Sequence, residues 1–322
     1  MSVTFSGAFT FTGGGFTATL APPTPTAGWY AGGGSTAPIS SAFSTISRIT
    51  FATDTATSTV RGPLSSARYA MGGAGNNTAG WFGGGYSNAS LGPSSDVNRI
   101  TFATDTATAS SRGPMALAIF GLAGVSNDTD GWFAGGGGGG IRSAVQRITF
   151  ATDTATASLR GTLNTPTNYL AGVTDSTTYG WFGGGFPGTD LSTVQRITYA
   201  TDTASASLRG PLNSGMSDLA GIGNNTDGWF AGGRNPGLKS LVQRITYATD
   251  TATASVRGPL SLARRNIAAS GNSTDGWFGG GNAAPIVSTV DRITYATDTT
   301  TASVRGPLSE SVFNESATSG LQ

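Results

Sequence analysis

A chain of 322 residues with 18 basic and 17 acidic side chains has a formal charge of +1 and no basic stripe, which excludes the electrostatic footprint of a nucleic-acid binder. Cysteine and histidine are both absent, so disulfides, thiolate nucleophiles, His-dependent triads and imidazole metal sites are excluded together. No apolar run approaches the ~18 to 20 residues that span a bilayer, and no membrane insertion is expected.

Residues 1–27 form a segment of their own. SVTFSGAFTFTGGGFTATLA alternates Thr or Ser with Phe, Val and Ala, a period-2 pattern that predicts one or two strands broken at Gly13, Gly14 and Gly15. APPTPTA then reads as a stiff, extended connector. The first charged residue is Arg48, so a conventional secretory signal is not expected. An uncharged, β-forming arm left bare in water is an aggregation hazard, and it is expected to pack on its own domain or on a neighbouring copy.

From residue 28 onward the chain repeats. The GW pair falls at Gly28, Gly80, Gly131, Gly180, Gly228 and Gly276, and the RIT triplet at Arg48, Arg99, Arg147, Arg196, Arg244 and Arg292. The RG pair follows at Arg61, Arg112, Arg160, Arg209, Arg257 and Arg305. Successive RIT starts lie 51, 48, 49, 48 and 48 residues apart, a period that means stacked or radially arranged units.

Each unit predicts four short strands. In the copy from Leu260 to Leu308 these are NIAASG, GWFGGG after an NSTDG turn, VDRITYA after a variable loop, and ASVRGPL after a TDT hairpin turn. Nothing shows a sustained 3.6-residue period, so almost no helix is expected. A four-stranded antiparallel unit repeated six times predicts a six-bladed β-propeller over residues 28–322. The small first strand suits the crowded axis. Trp29, Trp81, Trp132, Trp181, Trp229 and Trp277, with the Phe or Tyr that follows each and the aromatic after each RIT, supply packing between blades. The tail SESVFNESATSG aligns with SLARRNIAASGN, while the first unit begins at its second strand. Residues near Asn314 to Ser319 are therefore expected to close the ring as the inner strand of the blade that Trp29 begins.

With Arg264, Trp277, Gly280, Gly281 and Tyr295 in place, the unit resembles a kelch repeat. It departs from that pattern where Ala254, Ala302 or Ser58 stands for the fourth-strand Trp, and where the initial Arg occurs only at Arg68 and Arg264. The wording RITYATDTATASVRGPLS and GWFGGG also resembles repeat proteins of tailed phages, particularly marine ones, which are usually predicted virion or tail-fibre components. That resemblance implies a virion location, with an extracellular or cell-surface location as the alternative.

Candidate sites follow from what repeats and what varies. The RIT and RG arginines recur in every unit, which favours a structural ladder to backbone carbonyls and the TDT aspartates over a ligand-binding ring. The TDT aspartate, Asp250 and its counterparts, is expected to cap its own turn. Oxygen ligands for Ca²⁺ from it and from Asn272 and Asp275 are the weaker reading, and no cofactor is expected. Diversity lies in the loops between the second and third strands, where Tyr86, Arg142, Phe186, Arg234 and Lys239 are the binding candidates. The run Gly135 to Gly140 has no following GKS or GKT and is no phosphate loop. Kelch-type copper oxidases need His and a Cys-linked Tyr, and Glu occurs here only at Glu310 and Glu315, so no enzyme is expected. The expectation is a non-catalytic structural or adhesive component. It contacts virion proteins or its own copies through the arm, and a host-surface glycan or protein through the variable loops. The alternative is a lectin with pockets between blades at the exposed edges of Trp29 and its counterparts; a glycan-processing enzyme is a minor one.

Overall fold

The computed structural model describes residues 9–12, 15–18, 24–35 and 41–321. Six antiparallel sheets of four strands each form the blades of a β-propeller. Numbered by their tryptophans from Trp29, the blades have inner strands Ser316–Ser319, Gly72–Gly75, Ala123–Ser126, Ala171–Thr174, Ala220–Gly223 and Ala268–Gly271. Each inner strand contacts those of both neighbouring blades, so the six close a ring around a central channel. Blade 1 is a composite in which Ser316–Ser319 pairs with Ala27–Ala31, joining the two ends of the propeller within one sheet. Closure follows from the tail's likeness to the other inner strands, because the same pattern of small residues fits the same axial slot.

Glycine at the axis is a packing requirement. A Cβ on Gly124 would lie 2.1 Å from the carbonyl oxygen of Gly73 in the preceding blade. The RG glycine has a similar role at the periphery: a Cβ on Gly62 would sit 1.9 Å from the carbonyl of Ala107, and its N–H donates to the carbonyl of Asp105 at 2.8 Å.

Three boundaries differ from the sequence expectation. The second strand ends before the double glycine, since Gly280 and Gly281 take φ of 63° and 107°, a left-handed conformation that leaves the ladder. The TDT turn is longer than a hairpin turn. Tyr295–Thr297 makes one turn of 3-10 helix, Asp298 follows, and the outer strand starts only at Ser303. The inner strand NIAASG begins two residues late, at Ala268, because Asn266 adopts φ 56°. At the N-terminus, Phe9–Thr12 and Gly15–Ala18 form an antiparallel hairpin, as the alternating pattern predicts. Residues 1–8, 13–14 and 19–23 of the arm and connector lie outside the described residues.

One interaction recurs at every blade junction. Each Trp Nε1–H donates to the TDT carboxylate of the next blade, from Trp29 to Asp105, Trp81 to Asp153, Trp132 to Asp202, Trp181 to Asp250, Trp229 to Asp298 and Trp277 to Asp54, all at 2.8 Å. The same carboxylate receives both recurrent arginines of the Trp's blade; Asp153 takes Arg99 at 3.0 Å and Arg112 at 3.3 Å. Each Trp also stacks on the post-RIT aromatic of the next blade, with ring centroids 3.8 Å apart for Trp81 and Phe150 and 4.1 Å for Trp181 and Tyr247. The aspartate therefore bridges blades and does not cap its own turn, because the short helix carries it across the junction. The tryptophans are buried at the blade junctions, from 0% exposed at Trp181 to 6% at Trp29.

Removing the shared acceptor leaves an indole N–H and two guanidinium groups unpaired, a loss of about 3 to 5 kcal/mol for a buried ionic network. Asp153→Ala is expected to destabilise by about that amount in urea unfolding, and Asp202→Ala by somewhat less, because Asp130 still pairs with Arg147 at 3.5 Å. A loss of about 0.5 kcal/mol or less would mean that the carboxylates are surface ion pairs of little consequence.

Candidate functional site

The two faces of the ring differ in chemical variety. On the face of the Asn-rich turns and the aspartates, the same bonds recur blade after blade. Asn127 Oδ1 accepts the amides of Thr129 and Asp130 at 2.9 Å, and Asn224 and Asn272 do the same in their turns. Asp130 accepts the Thr149 hydroxyl at 2.6 Å. These oxygens are occupied by protein donors, and among the described residues no three His, Cys, Asp or Glu side chains converge on a metal-ion position.

The opposite face carries the variable loops and the channel mouth. One residue before each inner strand adopts the left-handed conformation: Ala70, Gly121, Tyr169, Asp218, Asn266 and Asn314, with φ between 54° and 65°. Their backbones bond head to tail. Gly121 N–H donates to Ala70 O, Tyr169 to Gly121, Asp218 to Tyr169, Asn266 to Asp218, Asn314 to Asn266 and Ala70 to Asn314, at 2.7 to 3.0 Å. The six residues thus form a closed annulus at one height around the axis, above a cavity of about 120 Å³. Asn and Asp take this conformation readily, whereas for Tyr169 it costs about 1 to 2 kcal/mol, an expense the annulus enforces.

Side chains divide the mouth into two arcs. In blades 2 to 4, Tyr69 and Tyr86 pack at 5.3 Å, Tyr86 meets Phe120 edge-on at 5.6 Å, and Phe120 meets Tyr169 at 6.2 Å. In blades 5, 6 and 1, Asp218 accepts Arg234 Nε at 3.0 Å and Asn266 Nδ2 at 2.8 Å, with Arg265 at 3.8 Å. Asn266 also donates to Asn314 at 2.6 Å. Arg234 lies over the Phe186 ring, 4.7 Å from its centroid, and links the polar arc to the loop of blade 4. Burial raises the Asp218 carboxyl above its ordinary range, opposed by Arg234 and Arg265. Burial, with Asp218 and Tyr69 nearby, pushes the Tyr169 phenol up to about 12. The phenol and the ion cluster are therefore neighbours on the annulus, where Asp218 N–H donates to Tyr169 O.

Below the annulus the residue that immediately precedes the inner strand is Met71, Leu122, Leu170, Leu219 and Ile267 in five blades, but Glu315 in the closing one. Glu315 is 7% exposed, and its Oε1 has no hydrogen-bond partner. Burial, with some repulsion from Glu310, raises its carboxyl well above the usual value, against the pull of Arg264. Arg264 is itself wholly buried and held by Asp291 at 2.6 Å and by the carbonyls of Gly280 and Phe278.

Of the five loop residues predicted from sequence, the structure brings three to this mouth: Tyr86, Phe186 and Arg234. Arg142 instead bonds the carbonyl of Gly138 in its own loop at 2.6 and 3.1 Å. Lys239 is half-buried at the base of its loop, and its ammonium has no carboxylate partner among the described residues. The sequence reading missed Tyr69, Phe120, Tyr169, Asp218, Asn266, Asn314 and Glu315. Their signal was available in the repeat alignment, where three successive columns vary beside an otherwise uniform inner strand.

The fold and mouth define a class, a six-bladed β-propeller with a chemically asymmetric channel opening. No family model matches the chain, and no curated protein matches it.

Because the Glu315 carboxyl is raised in the folded state, its contribution to stability is complete below the unfolded value near 4.5 and is lost as pH rises through the folded value. Glu315→Gln keeps the shape and removes the titration. The variant's melting temperature is expected to match the parent's near pH 4 and to exceed it by a growing margin toward pH 8. A difference that stays flat with pH would show that the carboxyl is solvated.

Proposed function

We propose that the chain is a non-catalytic structural and adhesive component of a phage particle, held in its assembly by the arm at residues 1–27 and meeting a host surface or neighbouring protein through the variable-loop face. The observation that carries this reading is the segregation of chemistry. Six junctions repeat one Trp to Asp bond at 2.8 Å, while the mouth above them presents Ala, Gly, Tyr, Asp, Asn and Asn at equivalent positions. A ring with one invariant side and one diversified side suits a scaffold whose loops recognise something. Wording similar to tailed-phage repeat proteins supports the virion context.

A second reading, carbohydrate recognition, is favoured by the mouth itself. The four rings from Tyr69 to Tyr169 offer apolar faces, and Asp218, Arg234, Arg265 and Asn266 stand opposite with donors and acceptors. Aromatic faces beside a few fixed polar groups are the usual make-up of a small-ligand pocket. On this reading the sugar site is the channel mouth and not the blade junctions.

Purified particles and a glycan array separate the two. Fixed copy number per particle, lost on deletion of residues 1–27, is expected for the assembly role, and saturable binding of one glycan class for the lectin role. Tyr169→Ala and Arg234→Ala should each weaken surface or glycan binding at least ~10-fold, about 1.4 kcal/mol or more, with melting temperature little changed. Unaltered binding by both variants would remove the mouth from the contact surface, and incorporation of the truncated chain would refute anchoring by the arm.

A further inference from the structure

On the turn face, away from the mouth, one blade lacks a group that its neighbours supply. In blade 3, Asp130 at the start of the second strand accepts the Thr149 hydroxyl at 2.6 Å and lies 3.5 Å from Arg147 Nε. Blades 5 and 6 repeat this with Asp227, at 2.6 Å from Thr246 and 3.5 Å from Arg244, and with Asp275, at 2.5 Å from Thr294 and 3.6 Å from Arg292. Blade 4 covers the same guanidinium differently, placing the Tyr179 ring under Arg196 at 4.1 Å.

Blade 2 has Ala79 at this position. The result is a cleft of about 620 Å³ between blades 2 and 3, lined by Ala79, Arg99, Thr101 and the buried edge of Trp81. Arg99 keeps its bond to Asp153 at 3.0 Å, but its Nε and the Thr101 hydroxyl have nothing in place of Asp130. The charge count is also uneven. Arg147 and Arg160 are balanced by Asp202 and Asp130, whereas Arg99 and Arg112 share Asp153 alone, leaving one positive charge in surplus. Asp128 on the far wall is exposed and pairs with neither arginine. Blade 1 also has an alanine here, Ala27, but there Arg48 Nε is buried.

We propose that the cleft between blades 2 and 3 binds a carboxylate group of a ligand, whose oxygens take the positions that the Asp130 carboxylate occupies one blade further on. The Thr101 hydroxyl donates to it as Thr149 does to Asp130, the Arg99 guanidinium stands within ion-pair range and supplies the balancing charge, and the Trp81 edge and the Phe150 ring border the ligand's apolar stem. The cleft is not part of the surface assigned to adhesion, so either assignment stands without the other.

The test uses the whole chain and sodium acetate as the probe, with acetamide as its uncharged match, at constant ionic strength. Acetate is expected to shift the Trp81 indole N–H and Arg99 Nε–H nuclear magnetic resonances saturably while leaving the other five indoles in place, and acetamide to shift neither. Ala79→Asp supplies the missing carboxylate from within the chain. It should abolish the acetate response and raise the melting temperature. Thr101→Val, which removes one donor and leaves the backbone alone, should weaken the response several-fold and serves if the aspartate variant folds poorly. Shifts spread over all six indoles, an equal effect of acetamide, or an acetate response unchanged in the variants would overturn the proposal.

Discussion

The structure depends on a carboxylate shared across a boundary. A blade of four short strands exposes two apolar faces and cannot stand alone; six of them hide those faces only when each finds its neighbour in one register. Aromatic stacking supplies area but tolerates sliding. The directional element is the aspartate, which receives an indole N–H and two guanidinium groups from the preceding blade. A buried carboxylate is costly unless its lone pairs are filled, and here they are filled only when the junction is correctly assembled. Specific geometry and loss of solvation thus act together to set one angle between blades six times over.

Fixing the ring on one face frees the other. Because the annulus from Ala70 to Asn314 closes through main-chain bonds, the ring does not dictate which side chains its six positions carry. Alanine, glycine, tyrosine, aspartate and asparagine all occupy the same place without altering the ring. At the closing seam Asp291 and Glu315 replace groups that are neutral or apolar in the other blades, and Arg264, matched only by the buried Arg68 of blade 2, pairs with Asp291 there. Polar groups buried at the one junction that joins the two ends of the propeller make that seam chemically distinct from the other five.

Much of the architecture was legible because a period of about 48 residues imposes it. The blade count, the closing strand near Ser316 and the small axial residues follow from copies that can be laid side by side. The sequence misled where local chemistry has two outlets. Asp298 in a Thr-Asp-Thr turn satisfies local capping rules as well as it satisfies Trp229 and Arg244, and only the three-dimensional path of Tyr295–Thr297 decides between them. GWFGGG reads as a strand to its end, yet Gly280 and Gly281 leave the ladder because Val312, in the next blade's linker, packs its carbonyl where a Cβ on Gly280 would stand. The mouth was half visible. Tyr86, Phe186 and Arg234 stand out in variable loops, but Tyr169 and Asp218 sit at the first position of segments that look like uniform strands.

Hydrogen exchange of the six indole N–H groups tests the shared-carboxylate account most directly. If each Trp to Asp bond is a seam of one cooperative ring, all six protons exchange only when the propeller unfolds, at one rate, equal to that of the slowest inner-strand amides. Exchange of individual indoles at separate rates, well ahead of those amides, would show that the blades open one at a time and that the carboxylates do not lock the ring.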